Sequence, residues 1–316
     1  MNEPRLQADL ALHRPELRGY VHEPAYAGVL SFMRRRYTRE LAGADVVVTG
    51  IPLDIATTFR PGARLGPAAM RAASVQLNEK LHPWGFGPCE HLSVIDYGDC
   101  AIDHHRPSTV VDSIVAHARP IVQSGATMLS LGGDHFVTYP LLKAHAEKHG
   151  PLAIVHFDAH CDTWPDDAPE SLNHGTMFYK AVKDGLIDPT RSVQVGIRTW
   201  NDDFMGIEVL GADWVHEHGP KAVAERIRQI VGQHPAYLTF DIDCLDPAYA
   251  PGTGTPVPGG LTSAQAQQIL RGLVPLKIVG MDVVEVAPAY DHAEITALAA
   301  AHMAAEMLCV LAAQRR

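Results

Sequence analysis

The chain has 316 residues, 47% of them hydrophobic and 20% charged, with a formal net charge of −10. That length suits one large α/β unit whose core needs no disulfide support. The acidic balance argues against nucleic acid or an anionic membrane as partner and is compatible with a small cationic substrate.

Residues 1–43 are polar, with a basic cluster at Arg34-Arg35-Arg36, and read as an arm or peripheral layer ahead of a domain spanning 44–316. Met1-Asn2-Glu3-Pro4-Arg5 has no apolar stretch, and nothing in the chain reads as a signal peptide or a transmembrane span. From Ala44 onward short apolar runs recur at 44–52, 92–99, 127–135, 151–160, 192–198, 236–243 and 277–286. They are rich in Val and Ile and mostly lack alternation, as strands of a parallel sheet covered on both faces do. Helical stretches lie between them. Residues 66–80 open with Gly-Pro, a good first turn. Residues 108–124 place Val110, Ile114, Ala118 and Ile121 at helical spacing, with a kink expected at Pro120. Asp291 and Glu294 have capping-box spacing, and an Ala/Leu-rich helix should follow to about Ala313. Strands alternating with helices predict a single α/β domain, three layers deep, around a mostly parallel sheet. The five cysteines, Cys89, Cys100, Cys161, Cys244 and Cys309, are scattered, odd in number and without a CxxC pair. That argues against a disulfide scaffold or zinc knuckle and fits a reducing, cytoplasmic setting.

In such sheets ligands bind beyond the carboxyl ends of the strands. Three of the apolar runs end there in acids and histidines: Asp134-His135, Asp158-Ala159-His160-Cys161-Asp162, and Asp241-Ile242-Asp243. In extended chain, residues two apart share a side, so Asp158, His160 and Asp162 should converge, as should Asp241 and Asp243. Carboxylates crowded together repel unless cations neutralise them. The four acids Asp158, Asp162, Asp241 and Asp243 carry the charge that two divalent ions would balance, and His135 and His160 add neutral nitrogen donors. A donor set rich in oxygen and free of thiolate suits manganese better than structural zinc. Cys161 and Cys244 should face away from the metals as small buried residues.

These segments resemble the signature motifs of the ureohydrolase family, which includes arginases and agmatinases: GGDH (132–135), DAHCD (158–162) and TFDIDCLDPAYAPGTGTPVPGG (239–260). Residues 174–189, 193–199 and 278–301 are also similar to the bacterial agmatinase branch, and the likeness runs from about Ala44 to the C-terminal helix. The resemblance implies one Mn²⁺ on His135, Asp158, Asp162 and Asp241, and another on Asp158, His160, Asp241 and Asp243, with Asp158 and Asp241 bridging. It implies a hydroxide held by the two ions as nucleophile toward a guanidinium carbon, His174 as proton shuttle and Glu285 as guanidinium grip. Asp134 and His156 would support the donors, and Arg60, Arg64 and Gly66-Pro67 would lie near the rim.

The expected activity is release of urea from a guanidino compound, with agmatine to putrescine favoured. Guanidinobutyrate or another guanidino acid is the alternative substrate, and an inactive metal-binding protein the alternative class. Substrate choice is expected to depend on the loop 163–173, whose Asp166, Asp167 and Glu170 would attract a distal ammonium. The Gly-rich segment 251–256 lacks the spacing of a phosphate loop and should shape the cavity wall. Family members are commonly trimers or hexamers, so the resemblance also implies a homo-oligomer.

Overall fold

The computed structural model describes residues 8–77 and 80–316. Nine strands form one sheet: β1 (Arg36–Tyr37), β2 (Val46–Ile51), β3 (Val94–Asp99), β4 (Thr127–Gly132), β5 (Ala153–Phe157), β6 (Val193–Val195), β7 (Glu208–Leu210), β8 (Ala236–Asp241) and β9 (Ile278–Val284). Their order is β1-β3-β2-β4-β9-β8-β5-β6-β7, and every pairing is parallel. The three-layer αβα reading therefore holds, with a sheet that is parallel throughout.

The unbroken apolar runs follow from the double cover. Every residue of β2 is buried. Val46 and Val48 join the core beneath helices Ala212–Val231, Ser263–Arg271 and Ile295–Ala313, while Val47 and Ile51 join the core beneath helices Val110–Ser124, Thr138–His149 and Met177–Lys183. Helix Ile295–Ala313 is long and apolar enough to cross a membrane by composition, but 78% of its apolar window is buried within the fold. Its one acid, Glu306, accepts from Trp84 Nε1 (2.6 Å) and pairs with Arg271.

Several local expectations need correction. The helix expected over 66–80 spans Gly66–Ser74, and Asn78 and Glu79 lie outside the described residues. Pro120 sits inside helix Val110–Ser124, whose backbone remains helical through it. Asp291 does receive the amides of Thr296 and Ala297, but the helix starts at Ile295 and Glu294 is left-handed (φ 60°). Glu294 therefore lies before the first turn rather than at its third position. Strands β1 and β7 are too short to have shown as apolar runs.

Residues 31–37, ahead of Ala44, are tied into the main body. Phe32 and Met33 are buried, the Phe32 amide donates to Asp96 Oδ2 (2.7 Å), and β1 pairs with β3. Asp96 also receives Arg71 Nε (2.8 Å) and Nη2 (2.9 Å).

Candidate metal centre and active site

The four central strands are adjacent in the order β4, β9, β8, β5. Their carboxyl ends deliver His135, Glu285, Asp241 with Asp243, and Asp158 with His160 and Asp162. The approach of β4 to its neighbours demands glycine: a Cβ on Gly133 would lie 1.9 Å from the Leu53 carbonyl oxygen. The Gly133 carbonyl in turn accepts the Glu285 amide (2.8 Å), which fastens the ends of β4 and β9 together.

The acids and histidines converge as expected, but turns rather than extended chain bring them there. β5 ends at Phe157. The His160 amide then folds back onto Asp158 Oδ1 (2.6 Å), and Asp162 adopts a left-handed backbone (φ 53°). β8 ends at Asp241, and a single 3₁₀ turn, Ile242–Cys244, lets the Asp243 amide donate to Asp241 Oδ1 (2.8 Å).

His135 Nδ1 lies 2.9 Å from Asp158 Oδ2, 3.1 Å from Asp241 Oδ2 and 3.2 Å from Asp162 Oδ2. Its other nitrogen, Nε2, is 2.8 Å from Thr239 Oγ1, which donates to Asp282 Oδ1 (2.6 Å). The hydroxyl hydrogen being directed at Asp282, Thr239 accepts from His135 Nε2–H. That assigns a bare lone pair to Nδ1, a buried atom without a hydrogen-bond partner. A lone pair aimed at three carboxylate oxygens is repulsive unless a cation sits among them, so the residues fit a metal. A second focus lies beside it. His160 Nδ1 is 3.1 Å from Asp243 Oδ2 and 3.2 Å from Asp158 Oδ1. Asp158 thus turns one oxygen to each histidine. His156 Nε2 meets Asp158 Oδ2 (2.7 Å) and completes the group His135, His156, Asp158, Asp162. Two adjoining donor groups constitute a binuclear metal site.

The electrostatics of the chain alone show the strain of this crowd. Burial pushes Asp158 upward, but His156, His135 and His160 outweigh it and hold its carboxyl well below the usual range. Asp241 is raised well above that range by burial and by Asp243 and Asp158, and Asp243 is raised by burial and Asp158. Burial opposes charge on His135 and His160, yet the surrounding carboxylates raise both. Asp134, raised by burial and Glu285 to about 7, accepts the Ala56 amide at Oδ2 (2.9 Å) and leaves Oδ1 unpartnered. Protons are being held where cations would otherwise stand.

Beside the donors, His174 Nδ1 is 2.8 Å from Glu285 Oε1, and that oxygen also accepts the His135 amide (2.8 Å). Glu285 is left-handed (φ 63°), and its Oε2 is buried without a partner. Thr58 donates to His174 Nε2 through its amide (3.2 Å), with its Oγ1 2.8 Å away. Burial lowers the affinity of His174 for a second proton, but Glu285 outweighs it and raises the ring to about 9. The Thr58 amide can only donate, and therefore favours a bare Nε2 with the proton on Nδ1. Cations in the adjoining donor groups would likewise oppose a second proton on the ring.

A cavity of about 250 Å³ opens over this group, lined by Thr58, His160, Asp162, Trp164, Asn173, His174, Gly175, Thr176, Asp241 and Thr255. The acids of loop 163–173 are not among these residues, which argues against their touching a distal ammonium. Asp166 accepts from Thr176 Oγ1 (3.1 Å) and lies 3.6 Å from Lys180 Nζ. Asp167 accepts from Tyr179 Oη and Lys183 Nζ, both at 2.8 Å, and Glu170 is exposed. Asp166 and Asp167 border a separate depression with Lys143 and Asp184.

Cys161 and Cys244 are buried, and Cys161 Sγ accepts from Asn201 Nδ2 (3.1 Å). Arg64 pairs with Asp54, and Arg60 lies over the rings of Phe59 and Tyr290. The Gly-rich segment contributes Thr255 to the cavity wall. Sequence reasoning passed over Thr58, Thr239, Asp282 and Arg198. Arg198 clamps the Asp243 carbonyl (2.7 Å) to that of Val257 (2.7 Å), joining the ligand turn to the Gly-rich segment. The run KIVGMDVVEV offered one signal, since Asp282 sits amid apolar residues. Thr58 offered none.

A sequence profile described as the arginase family matches residues 44–309. The chain is 66% identical to the agmatinase of Chromobacterium violaceum over 313 residues, 98% of this chain and 97% of that protein. Among solved structures, a hypothetical agmatinase from Burkholderia thailandensis superposes with a TM-score of 0.96 at 68% identity, covering 97% of this chain and 98% of that one. Proclavaminate amidino hydrolase from Streptomyces clavuligerus does so with 0.89 at 42% identity, covering 92% and 100%. With agreement of this extent over the strand ends that carry the donors, this chain belongs to the arginase family.

Proposed function

We propose that the protein is an agmatinase: a ureohydrolase with two Mn²⁺ per chain that converts agmatine to putrescine and urea. One ion would be held by His135, Asp158, Asp162 and Asp241, the other by Asp158, His160, Asp241 and Asp243. The split of Asp158 between the two histidines supports its role as a bridge. When bound, the pair would supply Lewis acidity and an acidified water to the reaction.

The observation that carries the reading is Glu285 beside the donor groups. Its Oε1 is taken by the His135 amide and His174, while its buried Oε2 has no partner. A guanidinium N–H would satisfy Oε2 with a charge-assisted bond. Gly254 leaves that approach open, since a Cβ there would come within 3.3 Å of Oε2. With the guanidinium fixed at Glu285, its carbon faces the donor groups and its leaving nitrogen lies toward His174, which holds a proton at Nδ1.

Among the described residues the cavity wall includes no Lys or Arg, so a substrate carboxylate finds no cation there, whereas a distal ammonium leaves none buried unpaired. That favours agmatine over guanidinobutyrate or arginine, and the relatives' names agree. An inactive metal-binding protein is disfavoured by the coexistence of all six donors with His174 and Glu285. The proposal includes residues 1–43 as a peripheral layer on a catalytic domain 44–316, a cytoplasmic location in keeping with five unpaired cysteines, and a homo-oligomer, trimeric or hexameric, that would cover exposed rings such as Trp200. The test is urea release by manganese-loaded protein from agmatine, 4-guanidinobutyrate and arginine. Agmatine is expected to have the highest kcat/KM, and a preference for either carboxylate-bearing compound would overturn the assignment.

A further inference from the structure

We infer that Thr58, on a loop that supplies no metal donor, is a positioning residue that holds His174 in its working orientation. The loop follows β2 and crosses to the site at two points. Its Ala56 amide donates to Asp134 Oδ2 (2.9 Å), and its Ala56 carbonyl accepts the His174 amide (3.2 Å). Two residues on, the Thr58 amide and hydroxyl both reach His174 Nε2, at 3.2 and 2.8 Å. The far side of the ring is fixed by Glu285 Oε1, 2.8 Å from Nδ1. The base of the loop is fixed too, since Gly62 donates to Asp54 Oδ2 (2.9 Å) and Arg64 pairs with Asp54.

His174 is therefore clamped at its backbone amide and both ring nitrogens, and two of those three contacts come from this loop. A bare Nε2 receiving the Thr58 donors leaves the ring proton on Nδ1, facing Glu285. In the other tautomer an N–H would face the Thr58 amide and two acceptors would meet on the Glu285 side, and a flipped ring would put carbon at both places. Thr58 thus selects one orientation and one tautomer for a group whose usefulness depends on where its proton points. Thr57 provides an internal contrast, because its buried Oγ1 has no hydrogen-bond partner.

The kinetic arm of the test rests on the proposed reaction, and the chemical arm does not. Thr58→Val keeps the shape and removes the hydroxyl. It should lower kcat for agmatine roughly 10- to 100-fold with KM within about twofold, the signature of lost orientation rather than lost binding. Thr58→Ser should recover most of the loss, and Thr57→Val should behave as wild type. On a His174→Ala background, Thr58→Val should cost nothing further, because its effect passes through that ring. Separately, carbethoxylation of His174 in the full manganese-loaded chain, followed by peptide mass spectrometry, should be several-fold faster in Thr58→Val than in wild type, because Nε2 is uncovered. An unchanged kcat, an additive loss on the His174→Ala background, a serine variant as slow as valine, or unchanged carbethoxylation would each overturn the inference. If wild type releases no urea from agmatine, the reaction assignment fails while the carbethoxylation comparison still decides the role of Thr58.

Discussion

Two acidic regions of this molecule read alike in the sequence and differ in the fold. Asp158, Asp162, Asp241 and Asp243 are buried, and among the described residues their ion-pair partners are histidines alone. Only a few residues along, half-buried Asp166 faces Lys180, and Asp167 faces Lys183 at the surface. A third acid, Asp96, is as buried as the first group but receives a bidentate Arg71. Burial alone therefore does not mark a metal site, and neither does acid density. The mark is several buried carboxylates converging on histidine nitrogens without a Lys or Arg, whereas Asp134 and Asp282, each buried singly, are held by amide or hydroxyl donors.

The largest test of this distinction removes the shared donors. Asp158→Ala and Asp241→Ala should each lose both ions and all measurable urea release, because in the proposed arrangement each would serve both ions. Elemental analysis of manganese-loaded wild type should give two ions per chain, and chelation should abolish turnover. One ion in fully active protein would break the two-site reading, and either variant retaining two ions with normal turnover would break the bridging assignment. Next in size is His174→Ala. If His174 is the proposed proton shuttle, the variant should keep its metal and lose kcat on the order of 10²- to 10⁴-fold, the usual contribution of a general acid–base group. Partial rescue by small imidazole buffers would sharpen the assignment, and an unchanged kcat would return His174 to a structural role.

How far the sequence could anticipate this contrast depends on what each feature rests on. The strands of the sheet interior were legible because both faces are buried, which leaves unbroken apolar runs such as residues 46–51. The metal donors were legible because three such runs end in the same residue types. The path by which they converge was not, since the 3₁₀ turn after Asp241 and the left-handed Asp162 depend on contacts with distant chain. Thr58 was invisible because its partner lies 116 residues away, and a single Thr in a loop has no periodicity. The acid loop misled for the same reason. Its neutralising lysines lie on helix Met177–Lys183, outside the segment being read.

A smaller effect concerns pH. In the metal-free chain Asp134 is raised to about 7, Asp241 and Asp243 are raised, and so are His135 and His160. Each binds its proton more tightly when folded. Their stabilisation is full below the unfolded pKa, 3.8 for the acids and 6.5 for the histidines, and is lost as pH rises through the folded values. Asp158, lowered, contributes in the opposite sense and loses its contribution as pH falls. Metals need deprotonated donors, so their binding strengthens with pH. Thermal melts between about pH 5 and pH 8 should show the metal-free chain weakening while the gain in Tm on adding Mn²⁺ grows by several degrees. A gain that stayed constant or shrank would show that protons and metals do not compete for this cluster.

The smallest expected effect lies at the other acidic region. The triple variant Asp166→Asn, Asp167→Asn, Glu170→Gln should leave KM for agmatine within about twofold of wild type, because exposed and already paired charges exert little force at a distance. Asp167 is engaged by Lys183 and Tyr179, and Asp166 by Lys180 and Thr176, so most of the loop's charge is answered locally. Besides a field through space, a contact route leads from these acids to the cavity: the Asp166–Thr176 hydrogen bond, since Thr176 lines the wall. The two routes have different salt signatures. A long-range field would weaken as the screening length falls to about 3 Å at 1 M salt, whereas a displaced Thr176 would not respond. A modest KM change that is indifferent to salt and reproduced by Asp166→Asn alone would place the loop's influence in that one contact. A large rise in KM that disappears with salt would mean that the acids act on the substrate through space after all, and the separation drawn between the two acidic regions would fail at its surface end.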